Sequence, residues 1–317
     1  MFHKLTMLSL VIVFIISAVS FIFLSDVFGD DEDVIKVSGT VAFTSKNELD
    51  FRPLDTENDP DIDMFIGSWK HSIPFNTHGS ITERAILSKC SGDPLKPERK
   101  GAVLKYINGL SHATLDPHAS TIPSTLKGEQ EIFYITSGKG VVKAGGKMAE
   151  IRNGIFVLMP AELEFTITNT GDEPLIMYLV REPVPESFRP NRDMLIKDEC
   201  AMPYRDQGYL QGHWAHNGKN IFSVEDGLGT LEAVGVITFN AMTIGQPHSH
   251  GEGHEEVWTL VQGRNLIFMG KEIRWQETGT AYKIPPTGFT PHSNINDSEE
   301  PIKFLFIARW RDHEVRK

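Results

Sequence analysis

From residue 102 onward the chain is written in short runs where apolar and polar residues alternate or apolar ones crowd together: 102–108, 131–136, 140–144, 154–159, 164–169 and 175–180. Each run is bounded by Gly, Pro, Asn or Ser, the residues that turn a chain. Runs of this length at close, even spacing predict an antiparallel sandwich or barrel rather than helices. Upstream, 34–43 alternates enough for one strand, and 47–63 is polar, acidic and Pro-containing, hence a linker. Residues 64–87 carry Phe65, Ile66, Trp69, Ile73 and Phe75 and are expected to form an arm that packs on something else, with His71 and His78 as surface or hydrogen-bonded histidines.

The N-terminus has a different pattern. Residues 5–24 are apolar and uncharged, preceded by Lys4 and followed by Asp26, Asp30, Asp31, Glu32 and Asp33. A stretch of that length spans a bilayer as a hydrophobic helix, and a basic flank stays on the cytoplasmic side. The segment is therefore either a membrane anchor or a cleaved signal peptide, and under both readings the rest of the chain is exported.

The second half repeats the first. Glu131, then six residues, then Gly138 matches Glu256, then six residues, then Gly263, and Gly154 and Pro160 match Gly279 and Pro285 at the same offset. Asn169 and Pro174 match Asn296 and Pro301 with a slight lengthening. A duplicated β unit explains these coincidences. The organisation expected is 1–29 as signal or anchor, 30–101 as arm and linker, 102–190 as a first barrel, 191–232 as an inter-barrel segment and 233–317 as a second barrel.

Composition narrows the function. A net charge of −11 with no basic run excludes nucleic acid as a partner, because phosphate binding needs clustered Lys and Arg. Cys90 and Cys200 are the only cysteines, too few for a disulfide framework or a thiolate zinc site; two free thiols and one bridge both remain open.

The chemistry concentrates in Pro247, His248, Ser249, His250, Gly251, Glu252, Gly253, His254, Glu255 and Glu256. Alternate residues of a strand face one side, so His248 and His250 can point together while Ser249 points away. Another histidine, His292, follows a Pro- and Gly-rich turn. Imidazoles with a carboxylate make a donor set of mixed hardness, suited to Mn, Fe, Ni, Cu or Zn as a divalent ion.

These residues resemble the cupin superfamily. His248, His250, Glu256 and Gly263 fit its first motif, and Gly279, Pro285, Gly288, His292 and Asn296 fit its second. The spacing departs by a residue or two between His250 and Glu256 and by one between Gly288 and His292, which leaves Glu255 as an alternative ligand. Glu256 is favoured because it keeps the distance to Gly263 and matches Glu131. In the first half the His-x-His positions fall on Ser124 and Leu126 or on Pro123 and Thr125, the second-motif histidine is Phe165, and only Glu131 survives; His118 lies upstream.

The resemblance implies an all-β bicupin of two tandem antiparallel jelly-roll barrels, with one divalent transition metal held in the second by His248, His250, Glu256 and His292. Glu252, His254 and Glu255 are candidates for moving protons, and Trp258, Tyr282 and Asn294 for contacting a small-molecule substrate. The function implied is isomerase- or lyase-type Lewis-acid chemistry on a small, oxygen-rich, carbohydrate-derived compound. The alternatives are an Fe- or Cu-dependent dioxygenase and a non-catalytic sugar-binding or structural bicupin. An oxalate-decarboxylase-like role is disfavoured, since such relatives tend to keep ligands in both barrels. Membrane contact would run through 5–24 if that segment is retained, and self-association is left open.

Overall fold

The computed structural model describes residues 53–205 and 215–309, so the expected 5–24 helix and the 34–43 strand lie outside the described residues. Among the described residues no helix is long and apolar enough to cross a membrane. Among the described residues, twenty-one strands follow one another, and the helical elements between them are short 3-10 turns. They are β1 (Ile66–Ser68), β2 (Phe75–Thr77), β3 (Ile81–Lys89), β4 (Ala102–Leu104), β5 (Gly109–Leu115), β6 (Glu129–Ser137), β7 (Lys139–Ala144), β8 (Lys147–Arg152), β9 (Ile155–Met159), β10 (Phe165–Asn169) and β11 (Leu175–Pro183). Then come β12 (Leu195–Asp198), β13 (Asn217–Ser223), β14 (Ala233–Phe239), β15 (Thr243–Ile244), β16 (Glu255–Gln262), β17 (Arg264–Met269), β18 (Glu272–Glu277), β19 (Thr280–Lys283), β20 (His292–Asn296) and β21 (Ile302–Arg309).

Each half pairs a large sheet with a small one. The first has β12-β9-β6-β11-β5-β3-β2, with β4 beside β3, over β10-β7-β8; the second has β1-β19-β16-β21-β14-β13 over β15-β20-β17-β18. Side chains that alternate inward from the first pair of sheets, among them Phe133, Ile135, Phe165, Met177 and Leu179, fill the first barrel. Trp258, Phe239, Phe304 and Phe306 do the same in the second. The outward faces of the two large sheets also meet. Tyr134 stacks on Phe156 at 4.0 Å, Phe156 meets Phe222, and all three belong to the same apolar cluster as the second barrel's interior. The expected Gly turns are in place: Gly138 and Gly263, at matching positions in the repeat, have φ of 81° and 90°, a region that only glycine enters without strain.

The expected arm is more than an arm. β1 adds to the second barrel through β19, with Ile66 opposite Tyr282, while β3 pairs with β5 inside the first barrel. The run Ile81-Thr-Glu-Arg-Ala does alternate, but Glu83 occupies an inward position, and a charge there hides the strand from a hydrophobic reading. β8 escaped for the opposite reason: it is the edge strand of the small sheet, its residues mostly exposed. The inter-barrel segment is likewise absorbed, β12 into the first large sheet and β13 into the second. Glu199, just after β12, accepts a hydrogen bond from Tyr134 of the first barrel at 2.7 Å and pairs with Lys303 of the second at 2.6 Å.

A buried ionic clamp fixes the β4 segment against the second barrel. Glu255 accepts the backbone N–H groups of Lys105 at 2.7 Å and Tyr106 at 3.1 Å. Lys283 donates to the Val103 carbonyl at 2.7 Å and lies 3.4 Å from Glu255. Both side chains are 1% exposed, and burial lowers the Lys283 pKa although the Glu255 charge opposes it. Removing one member of such a cluster strands the other charges and donors in a dry site, typically at a cost of about 3–5 kcal/mol. Glu255→Ala is expected to lower the unfolding free energy by about that much in urea denaturation; a change below about 1 kcal/mol would show that the clamp carries no weight.

Candidate metal centre

A backbone contact at the mouth of the second barrel brings the histidines together. His248 N–H donates to the His292 carbonyl at 3.2 Å, and His292 N–H returns the bond at 2.9 Å. This isolated antiparallel bridge ties the His-rich loop to the start of β20, so residues distant in sequence share one wall. The ring centroids of His248 and His292 are 4.4 Å apart, those of His248 and His250 4.9 Å, and those of His250 and His292 5.0 Å. One ring nitrogen from each of the three lies within 4.8 Å of the others, a cluster that could hold a metal ion.

Glu256 enters from β16. Its Oε2 lies 2.9 Å from His250 Nε2 and its Oε1 3.1 Å from His292 Nε2. Donor atoms bound to one first-row ion at about 2.0–2.2 Å stand roughly 3 Å apart when adjacent, so these separations fit a shared ion. Tautomers point the same way. His248 Nδ1 is 2.9 Å from the Gln246 carbonyl, an atom that can only accept, so Nδ1 carries the proton and Nε2 is the nitrogen with a lone pair to give. Trp258, two residues on and facing the same way, donates its indole N–H to Glu256 Oε1 at 2.6 Å and orients the carboxylate. Burial alone would push the Glu256 carboxyl up, but the adjacent His250 and His292 outweigh it and hold the group well below the usual carboxylate range.

The other candidate residues fall into separate places. Glu255, the neighbour of Glu256 on a strand, faces the opposite side and is consumed by the clamp with Lys283, away from the histidines. His254 lines the open side of the site with Gly251, Pro285, Pro286 and Thr290. It also borders an outer cavity of ≈ 250 Å³, whose walls include Glu252, Lys105 and Tyr106. Trp258, Tyr282 and Asn294 are buried. Tyr282 donates to Asn294 Oδ1 at 3.1 Å, and Asn265 donates to the same oxygen at 2.7 Å. Their polar groups are thus engaged inside the barrel rather than turned toward the open side.

The first barrel shows what the same wall becomes without histidines. Ser124 and Phe165 exchange N–H to carbonyl bonds of 3.0 and 2.9 Å, the counterpart of the His248–His292 bridge. This settles the two alignments in favour of Ser124 and Leu126 as the counterparts of His248 and His250, with Phe165 standing for His292. Glu131 remains, and it faces Arg181 across the β6–β11 ladder just as Glu256 faces Ala308 across β16–β21. The Arg181 guanidinium donates to Glu131 at 3.2 Å and to Glu83, which also accepts from the Thr77 hydroxyl. His78 Nε2 lies 3.1 Å from the other Glu131 oxygen, and its ring packs on Phe165 at 5.2 Å. Arginine therefore supplies inside the first barrel the positive charge that a metal would supply in the second. His118 sits outside this cluster, exposed beside Asp172. None of Glu83, Arg181 and His78 belongs to a motif; only strand register could have revealed them.

Residues 111–181 match the cupin domain family. The likeness is to the cupin superfamily. The family match covers the barrel without histidines, and the fold of the whole extends the likeness to both. A protein described as glyoxylate-induced, from Pseudomonas aeruginosa, is 11% identical with a TM-score of 0.60 over 76% of this chain and 85% of its own. AerE from Microcystis aeruginosa is 15% identical with a TM-score of 0.57, over 77% of this chain and 98% of its own. Oxalate decarboxylase from Bacillus subtilis is 13% identical with a TM-score of 0.57, over 81% of this chain and 83% of its own. At these identities the likeness is one of fold. No curated protein sequence matches.

Elemental analysis of the purified protein is expected to find about one transition-metal ion per chain, lost in His248→Ala and in His292→Ala. Trp258→Phe should keep the fold and weaken metal affinity by roughly 10–100-fold. Wild-type affinity in that variant would show that the indole does not orient Glu256.

Proposed function

We propose that the protein is a metal-dependent cupin enzyme acting on a small, oxygen-rich compound, carbohydrate-derived, by isomerase- or lyase-type chemistry, and that the 5–24 segment delivers it outside the cytoplasm as an anchored or secreted protein. The observation that carries the enzymatic reading is the asymmetry of the barrels: the first is closed around its glutamate by Arg181, while the second gathers His248, His250, His292 and Glu256 beside an open wall. His248, His250, His292 and Glu256 would hold one divalent ion. When bound, it supplies Lewis acidity toward a carbonyl or hydroxyl oxygen.

The chain's own residues divide the remaining work. Trp258 and the backbone bridge at His292 fix the donor geometry before substrate arrives, so little reorganisation accompanies binding. His254, on the open side, is the imidazole placed to exchange a proton with a substrate there; Glu252 stands further out along the same cavity. Ile284, Pro285 and Pro286 give this side an apolar rim that limits water.

A screen of hydroxy and oxo carbohydrate derivatives and phenolics, run on metal-loaded protein with and without oxygen, separates the possibilities. Turnover that persists anaerobically and disappears in His292→Ala is expected. His254→Asn should retain metal and lose about 10²–10⁴-fold in kcat. Strict dependence on oxygen would move the protein to the dioxygenases, and sugar binding undiminished in His248→Ala would make it a non-catalytic binding module.

A further inference from the structure

The two barrels differ at a second inward position, which bears on what the site binds. β3 and β13 are counterparts: each pairs with the strand next to β11 or β21, and each carries a register shift, between Ala85 and Leu87 in one and between Asn220 and Phe222 in the other. Counting from the shift, Glu83 lies opposite Ala113, and Ala113 opposite Met177. Gly218 lies opposite Ile237, and Ile237 opposite Phe304. Met177 and Phe304 occupy the same place in the repeat, facing Ile135 and Leu260. Gly218 therefore stands where the first barrel has Glu83, the carboxylate that completes the Arg181 ion pair.

The space left by that missing side chain is filled from elsewhere. A Cβ on Gly218 would fall 2.3 Å from Arg205 Nη2, 2.5 Å from its Nε and 2.8 Å from its Cζ. The guanidinium thus lies against the inner face of β13, and the Arg205 main chain is tied there by its backbone N–H, which donates to the Gly218 carbonyl at 2.7 Å. Among the described residues no carboxylate forms an ion pair with it, although the Glu256 charge reaches it. Its surroundings lower the Arg205 pKa through desolvation, with Glu256 opposing. The residue as a whole stays exposed, although its guanidinium is partly desolvated. The first barrel has an arginine together with its carboxylate; among the described residues, the second has an arginine with no carboxylate in ion-pair contact.

We propose that Arg205 is a substrate-binding residue of the second barrel and that the substrate is an acid, its carboxylate taken by the Arg205 guanidinium while a neighbouring oxygen faces the histidine cluster. Two positive charges from the ion, one negative at Glu256 and one positive at Arg205 leave the site cationic with neutral imidazoles, and a guanidinium fork matches a planar carboxylate. This deepens the metal-site reading above and rests on it.

The test uses Mn(II)-loaded full-length protein and two probes of like size, glycolate and ethylene glycol, with affinity read by calorimetry and by the Mn(II) paramagnetic resonance signal. Wild type should bind glycolate more tightly than ethylene glycol. Arg205→Gln should lose roughly ten- to a hundredfold in glycolate affinity, with ethylene glycol and Mn(II) affinities unchanged. Arg205→Lys should fall between the two. Gly218→Ala, which expels the guanidinium by another route, should reproduce the loss if Arg205→Gln folds poorly. Equal binding of the two probes by wild type, or undiminished glycolate affinity in both variants, would overturn the assignment of Arg205 while leaving the metal site standing. A wild-type protein that takes up no Mn(II) would overturn the metal reading and this proposal together.

Discussion

A carboxylate on the inner wall of an apolar barrel must meet positive charge there, because an unpaired buried anion costs several kcal/mol. Both halves of this chain keep that carboxylate, Glu131 in one and Glu256 in the other, at the same place in the ladder. They satisfy it differently. The first barrel uses Arg181, held by Glu83 and flanked by His78, and becomes a closed interior with its charges paired internally. The second has Ala308 in place of the arginine, so its glutamate turns to His250 and His292 and leaves room for a ligand.

The scaffold holds this difference in place. Sheet faces that point away from each barrel's interior meet across Tyr134, Phe156 and Phe222, and Glu199 bridges the two halves through Tyr134 and Lys303. The Glu255–Lys283 clamp ties the β4 segment to the residue beside Glu256, so the strand that presents the candidate ligand is braced from behind. Adjacent glutamates thereby take opposite duties by strand alternation alone, one facing the site and one the scaffold.

Much of this was legible in the chain. The repeat, its turn glycines and the spacing of His248, His250, Glu256 and His292 carried the fold class and the candidate donors, since strand period and turn chemistry are local properties. What escaped depended on pairing between strands. Glu83 concealed β3 because a charge broke the apolar pattern, and the exposed edge strand β8 showed little hydrophobic signal. The choice between Ser124 with Leu126 and Pro123 with Thr125 needed the Ser124–Phe165 bridge, which no single-strand pattern contains. Arg181 and Arg205 approach their sites through register and through the absence of a side chain at Gly218, and neither leaves a motif. Trp258 is expected from strand register to face inward with Glu256, and it does so, bonding to that carboxylate; Tyr282 and Asn294, near the second motif, have their polar groups engaged inside the barrel.

The two barrels thus meet one electrostatic demand in two ways, with an arginine in the first and, as proposed, a metal ion in the second. Anomalous scattering from crystals of metal-loaded protein, recorded on either side of the metal absorption edge, tests it most directly. A single peak enclosed by His248, His250, Glu256 and His292 is expected, with none beside Arg181. A peak next to Glu131, or none among the histidines, would contradict it.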